Sequence, residues 1–349
     1  MSFVCKHLEH LAGYVPGEQP HFPGMVKLNT NENPYPPSPN VGKALAAFDW
    51  QSLRRYPDPV CRQVREHIAS LHGCSPNQVF IGNGSDEILS LFTRTFVEAG
   101  GTIGYFEPTY SLYSVLAEIR DARGKPFPLN EDFSCPMPPE DFADAFVWTN
   151  PNAPTSRMTN PEIIADFSQR FKGVLLVDEA YADFAPANCM PLAVASKNTN
   201  TLVMRTLSKS FSLAGIRFGY CIGPEPLIDA LYRVKDSYNM DALAQAVGMA
   251  ALTDMPHMRA NVAAIIKTRE SLSKTLSQRG WHVLPSATNF LFAAPPPTTS
   301  AAAIFETLRQ EHVFVRYFPG KRTGQYLRIT VGTPEETARL LDVLSRIGV

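Results

Sequence analysis

Nowhere in the 349-residue chain do about 18 apolar residues run uninterrupted, and the opening M-S-F-V-C-K-H-L-E-H has no apolar stretch of signal-peptide length. Those absences exclude a spanning helix and an ordinary secretory leader, and the expectation is a soluble protein of the cytoplasm. Cysteine is sparse and scattered: Cys5, Cys61, Cys74, Cys135, Cys189 and Cys221 form no C-x-x-C pair and have no histidines at ligand spacing. A disulfide framework and a metal centre are therefore not expected. Excess charge is missing too. With 32 basic against 33 acidic side chains, a net charge of −1, no global field recruits nucleic acid or an acidic membrane surface. Selection of a substrate must be local.

What is present is length enough for a main domain with a smaller partner. Seven of the 30 prolines fall in the first 40 residues, where fixed φ angles and missing N–H groups predict an extended, turn-rich arm. The expected organisation is an arm over 1–40, a large domain over 41–255 and a small domain over 256–349.

From about Gly42 strands and helices alternate. Val79 to Ile81, Thr102 to Phe106, Phe146 to Thr149, Val174 to Val177 and Thr201 to Met204 read as short apolar strands. Helical spacing joins Ile88, Phe92 and Phe96, with Ser85 as a candidate cap, and then Ile163, Ile164, Phe167 and Phe171, ended by Gly173. Near-continuous apolar strands separated by helices imply a parallel sheet buried on both faces, with a ligand crevice beyond the strands' carboxyl ends. After about Asp254 come a long helix ending at Gly280, strands at 281–284, 290–293, 313–317 and 326–331, and helices over 300–311 and after a Thr333 cap. This second region predicts a compact α+β domain.

The polar clusters sit where the strands end. T-L-S-K-S-F-S-L-A-G-I-R-F-G-Y (Thr206 to Tyr220) sets Lys209 between two serines, with Arg217 following. A lysine can hold an aldehyde, while hydroxyls and an arginine can hold a phosphate. G-N-G-S-D-E (Gly82 to Glu87) offers helix N-terminal amides to an anion, and it is equally an ordinary strand-to-helix turn. Asp178 could pair with a protonated ring nitrogen or merely cap. Tyr181 could reach a ring hydroxyl, and Tyr110 could stack on a ring or belong to the core.

In this order, and together with K-L-N-T-N-E-N-P-Y-P-P (Lys27 to Pro37), R-Y-P-D-P (Arg55 to Pro59), P-T-Y-S-L-Y, P-N-A-P-T, V-D-E-A-Y and L-R-I-T-V-G-T, these motifs resemble the fold-type I pyridoxal-phosphate enzymes. Within them the chain is most similar to the histidinol-phosphate aminotransferase family, and the likeness spans nearly the whole chain. The resemblance implies an α/β large domain with a mainly parallel, seven-stranded type of sheet flanked by helices, a smaller α+β carboxyl-terminal domain, and pyridoxal 5′-phosphate as cofactor. It implies that Lys209 carries the cofactor, Asp178 binds the ring nitrogen, Tyr181 the ring oxygen, and Tyr110 stacks. Ser85, Asp86, Thr206, Ser208 and Arg217 would meet the phosphate. Tyr56 would cross to a neighbour's cofactor in a homodimer, and Tyr14, Asn33, Arg316 and Arg328 would bind substrate.

One departure concerns the ring oxygen. Where the family commonly has N-N-P-T-G, this chain has Asn152-Ala153-Pro154-Thr155-Ser156, so Asn152 is the preferred substitute, with Asn150 or Tyr181 alone as alternatives. The implied reaction is amino transfer from histidinol phosphate to 2-oxoglutarate. An aromatic-amino-acid aminotransferase and a threonine-phosphate decarboxylase share the pattern. A cofactor-binding transcription regulator would need an appended basic helix-turn-helix segment, which is not expected in a sequence that opens on the arm.

Overall fold

In the computed structural model, which describes residues 3–349, thirteen strands follow one another. They are β1 (Val26–Lys27), β2 (Val79–Asn83), β3 (Thr102–Glu107), β4 (Arg123–Pro128), β5 (Ala145–Thr149), β6 (Val174–Asp178), β7 (Thr201–Thr206), β8 (Phe218–Ile222), β9 (His282–Val283), β10 (Phe290–Ala294), β11 (Val313–Phe314), β12 (Arg316–Tyr317) and β13 (Leu327–Thr330). Seven form one sheet in the order β2-β8-β7-β6-β5-β3-β4. Every pairing among β3 to β7 is parallel, and only β8 runs against its neighbours. The expected mainly parallel α/β sheet is thus present, with a separate four-stranded sheet, β12-β13-β10-β9, in the carboxyl-terminal part. Among the described residues no helix is long and apolar enough to cross a membrane.

The central strands β5, β6 and β7 are buried almost residue by residue, as a sheet covered on both faces requires. Helices on either face supply the cover. Ile88 and Phe92 on Gly84–Phe96, and Ile164 and Phe167 on Pro161–Arg170, are fully buried, while Ile163 turns outward at 43% exposed. Two boundaries differ from expectation. The first of these helices begins at Gly84 with Asn83 as its cap residue, so Ser85 lies inside the first turn rather than capping it. The second ends at Arg170 with Phe171 at its carboxyl cap, before Gly173.

Strand β4, R-G-K-P-F-P, has no strand signature because Pro126 and Pro128 cannot donate to a ladder; its place at the sheet edge, paired only with β3, tolerates them. The single strand expected over 313–317 is two. Val313–Phe314 pairs in parallel with β1 of the arm, Arg316–Tyr317 pairs antiparallel with β13, and buried Val315 makes the crossing. The arm is therefore stitched into the carboxyl-terminal part. Helix Met255–Gln278 buries Val262, Ile265, Leu272 and Leu276, and its buried Arg269 donates to Phe184 O at 3.1 Å and Thr288 O at 2.8 Å, tying the two sheets' surroundings together.

β8 and the helix opening at Gly84 approach so closely that a Cβ on Gly219 would lie 2.8 Å from the backbone of both Gly84 and Ser85. Backbone cannot yield as a side-chain tip can. Gly219→Ala is expected to destabilise by about 1–3 kcal/mol in denaturant titration. Gly215→Ala, whose methyl would meet nothing within 4 Å, is expected to stay within about 0.5 kcal/mol of the parent. Equal midpoints for the two variants would contradict the close approach.

Candidate active site

Strands β2 to β7 of the seven-stranded sheet point their carboxyl ends the same way, and a cavity of about 290 Å³ opens there. Ser85 and Asp86 follow β2, Tyr110 follows β3, Ala153 follows β5, Asp178 and Tyr181 close β6, and Thr206, Ser208 and Lys209 close β7. Arg217 leads into β8. The arm supplies Tyr14, Thr30, Asn31 and Glu32 from above, and the small sheet supplies Arg316 and Arg328. Parallel topology thus gathers the strand-end residues between Ser85 and Arg217, as expected of an open α/β sheet, and the arm and small sheet add residues far from them in the chain.

Lys209 sits in the turn between β7 and β8, its Nζ 3.3 Å from Thr30 O and 5.8 Å from the Tyr181 ring centre. Removal from water, reinforced by Arg328, brings its ammonium down to about 8. A usable fraction is therefore the neutral, nucleophilic amine near neutral pH. The turn is anchored from beneath by a buried ionic network. Arg205 donates to Glu179 and to Asp183 at 2.8 Å each, and Ser210 donates to Asp183. From above, Asn33 Nδ2 donates to Lys209 O at 3.0 Å and Ser210 O at 3.2 Å. That corrects one assignment: Asn33 clasps the lysine turn and does not line the cavity, because its amide is spent on backbone carbonyls.

At the cavity floor Asp178 is 5% exposed. It accepts from Tyr113 Oη at 2.7 Å and from Ala180 N at 3.1 Å. Burial outweighs both bonds and pushes its carboxyl up to about 6. Tyr113 is a residue that sequence reading left without a role, although a buried tyrosine hydroxyl at helical spacing from Tyr110 calls for a polar partner. Tyr110 makes an edge contact with Tyr14, ring centres 5.3 Å apart, and its hydroxyl lies 3.4 Å from Asp86. Asp86 also accepts from Arg217 at 2.9 Å. Thr206 and Ser208 bond each other at 3.0 Å beside them.

On the opposite wall Arg316 and Arg328 stand directly across neighbouring strands β12 and β13. Like charges so placed repel, and among the described residues neither has a carboxylate partner. Arg328 donates to Asn29 O at 2.7 Å, and Arg316 to the carbonyls of Val15 and Pro16 at 3.3 and 3.4 Å. Burial lowers Arg328's hold on its proton, with Arg316 adding to the effect. Arg328 Nε is buried with no partner. The pair is arranged to receive an anion.

Two assigned residues lie elsewhere. Asn152 is buried but does not line the cavity: it accepts from Thr109 at 2.7 Å and donates to Thr155 at 2.8 Å and Pro108 O at 3.1 Å. Its amide is engaged by its own loop and by the loop after β3, which turns it away from the cavity; Asn150 bonds the Thr159 backbone with both amide atoms. Tyr56 is 79% exposed, stacked on Tyr238 with ring centres 4.4 Å apart, and does not line this cavity. Asn31, which had no assigned role, does line the cavity and donates to Tyr181 Oη at 2.9 Å.

With Asp178 at about 6 folded and 3.8 ordinarily, the folded state binds more protons between these values. Asp178 therefore costs stability progressively as pH rises from about 4 to 6. In cofactor-free protein, Asp178→Asn is expected to match or exceed the parent's stability at pH 7.5, by at most roughly 3 kcal/mol, with the gain vanishing below about pH 4. Denaturant melts at both pH values check this. A destabilised variant at pH 7.5 would make Asp178 a structural carboxylate.

The family model for class I and II aminotransferases matches residues 23–344. The chain is 41% identical over 350 residues to the histidinol-phosphate aminotransferase of Citrifermentans bemidjiense, covering 100% of this chain and 99% of that one. It is 43% identical over 344 residues to histidinol-phosphate aminotransferase 1 of Methylococcus capsulatus, covering 97% and 95%. Among solved structures, the histidinol-phosphate aminotransferase of Sinorhizobium meliloti in complex with pyridoxal-5′-phosphate superposes with a TM-score of 0.85 at 24% identity, over 92% of this chain and 90% of that one. The fold, the gathered strand-end residues and these full-length likenesses agree: the chain belongs to the class I and II aminotransferases, in the histidinol-phosphate aminotransferase family.

Proposed function

We propose that the protein transfers the amino group of histidinol phosphate to 2-oxoglutarate, giving imidazole-acetol phosphate and glutamate, as a cytoplasmic step of histidine biosynthesis. One observation carries the reading: a single cavity joins a desolvated lysine and a buried carboxylate to two separate anion-seeking ends, Arg217 at one and the Arg316–Arg328 pair at the other. A phosphate-bearing cofactor and a second, anionic substrate need both ends.

The cofactor is pyridoxal 5′-phosphate, and the residues present fit it. Gly84, at φ +79°, lets the Arg217 guanidinium lie against the start of the helix, where a Cβ would come within 2.6 Å of it. Ser85 and Asp86 line the cavity together with Arg217, and as first-turn residues their amides have no partner inside their helix. When bound, the cofactor supplies an electron sink conjugated to the substrate's α-carbon.

The chain's own residues do the remainder. Ser85, Asp86, Thr206, Ser208 and Arg217 would hold the cofactor phosphate, Tyr110 would stack on the ring, and Tyr181 would donate to the ring oxygen. Asp178 would keep the ring nitrogen protonated, and a cation there would offset the cost of burying the carboxylate. Lys209 would hold the cofactor through its amine, and that amine, once freed, would serve as the general base that takes up the proton of the substrate's α-carbon and gives it back. Arg316 and Arg328, with Tyr14, hold the substrate phosphate and in the second half the carboxylate of 2-oxoglutarate. Exposed Tyr56, flanked by exposed Trp50 and Leu53, supports a homodimer in which it enters the neighbour's cavity.

Steady-state rates with histidinol phosphate, phenylalanine and threonine phosphate as donors test the reading. Histidinol phosphate is expected to lead in kcat/KM by about a hundredfold or more, with parallel ping-pong lines against 2-oxoglutarate. Preference for phenylalanine, or carbon dioxide release from threonine phosphate, would overturn the substrate assignment. Lys209→Ala is expected to lose at least about 10³-fold in kcat while folding normally.

A further inference from the structure

Tyr181 reaches the cavity from the end of β6, and among the described residues its hydroxyl is held by one side chain. Asn31 Nδ2 donates to it at 2.9 Å. The orientation of that amide follows from its other neighbour. Thr330 Oγ1 accepts the Asn31 backbone N–H at 3.0 Å and donates its own hydrogen to Asn31 Oδ1, also at 3.0 Å. With the amide oxygen turned to Thr330, the amide nitrogen must face Tyr181. Asn289 fixes the same residue a third way, donating to Asn31 O at 3.0 Å. Asn31 is 1% exposed and sits at φ +56°, a left-handed conformation that asparagine, aspartate and glycine enter most readily.

A hydroxyl that accepts from an amide keeps its own hydrogen for another partner. Among the described residues nothing takes the Tyr181 hydrogen, and the open direction is the cavity. The loop opposite presents the methyl group of Ala153, and Asn152 is consumed elsewhere, so no other amide competes for this task. We infer that Asn31 is a positioning residue which, anchored to the small sheet through Thr330 and Asn289, forces Tyr181 to act as a hydrogen-bond donor toward the cofactor's ring oxygen. The inference rests on the proposed role of Tyr181. It also makes the donor's direction depend on the small sheet being seated, since Thr330 ends β13 and Asn289 precedes β10. The charged groups around Tyr181 are Lys209, Arg328, Asp178 and Asp86, and substitution of Asn31 by glycine changes none of them.

Holoenzymes of the parent, Asn31→Asp, Asn31→Gly, Tyr181→Phe and the Asn31→Asp/Tyr181→Phe double variant are titrated with pH, following the absorbance of the lysine-bound cofactor. A donor at the ring oxygen favours its anionic form, so loss of donation moves the acid–base midpoint up. N31D would draw the tyrosine hydrogen to its carboxylate; N31G, uncharged, only releases it. The expected result is a rise of about one pH unit in Y181F and in N31D, a smaller rise in N31G, and a double variant equal to Y181F.

A rise in Y181F with parent-like midpoints in N31D and N31G would overturn the inference and leave the Tyr181 role standing. Midpoints that add in the double variant would overturn it as well, since Asn31 would then act by charge rather than through the tyrosine. A parent-like Y181F would remove the reading of Tyr181 on which the inference stands. If N31D does not fold, N31G decides: a midpoint unchanged from the parent counts against the proposal, and a rise supports it.

Discussion

Charge held out of water without a matching partner is the constraint around which this molecule is arranged. Lys209, Asp178 and Arg328 each shift toward the neutral form, and in each case removal from solvent is the largest cause. None of these groups is placed where folding alone would put it. The framework that tolerates them is itself ionic. Arg205, Glu179 and Asp183 form a buried network directly under the lysine turn, with every partner within hydrogen-bond reach, so the turn is fixed by strong bonds where its active side chain has weak ones.

The parallel sheet explains why so few residues suffice. The carboxyl ends of β2, β3, β6 and β7 contribute polar side chains to one place, and the antiparallel β8 returns Arg217 to the same edge. What the sheet cannot supply is a roof. That comes from the arm, whose β1 is hydrogen-bonded to β11, and from the small sheet, whose β12 and β13 carry the two opposed arginines. Asn31 and Asn33 lie two residues apart in this arm and do different work: one faces the cavity wall at Tyr181, the other grips the backbone of Lys209.

The sequence made the large sheet legible because burial on both faces writes itself as continuous apolar strands, as in V-L-L-V before Asp178. It also made the strand-end clusters legible. It hid β4, whose prolines are tolerated only because tertiary pairing sets it at an edge, and it merged β11 with β12, since a change of sheet at Val315 leaves no local mark. Among site residues, motif position indicated which loops matter but not which atom faces inward. Asn33 and Asn152 looked available, yet their amides are consumed by backbone and loop partners, while Asn31 in the same motif is turned to the cavity by Thr330. Side-chain direction of this kind is set by contacts hundreds of positions away.

The central claim is that this cavity is organised for covalent capture by Lys209. The most direct measurement is borohydride reduction of the protein loaded with pyridoxal 5′-phosphate, followed by peptide mapping by mass spectrometry. The account predicts one stable adduct, on the peptide containing Lys209, and none after Lys209→Ala. An adduct on another lysine, or an unmodified Lys209 peptide in a fully loaded protein, would contradict it.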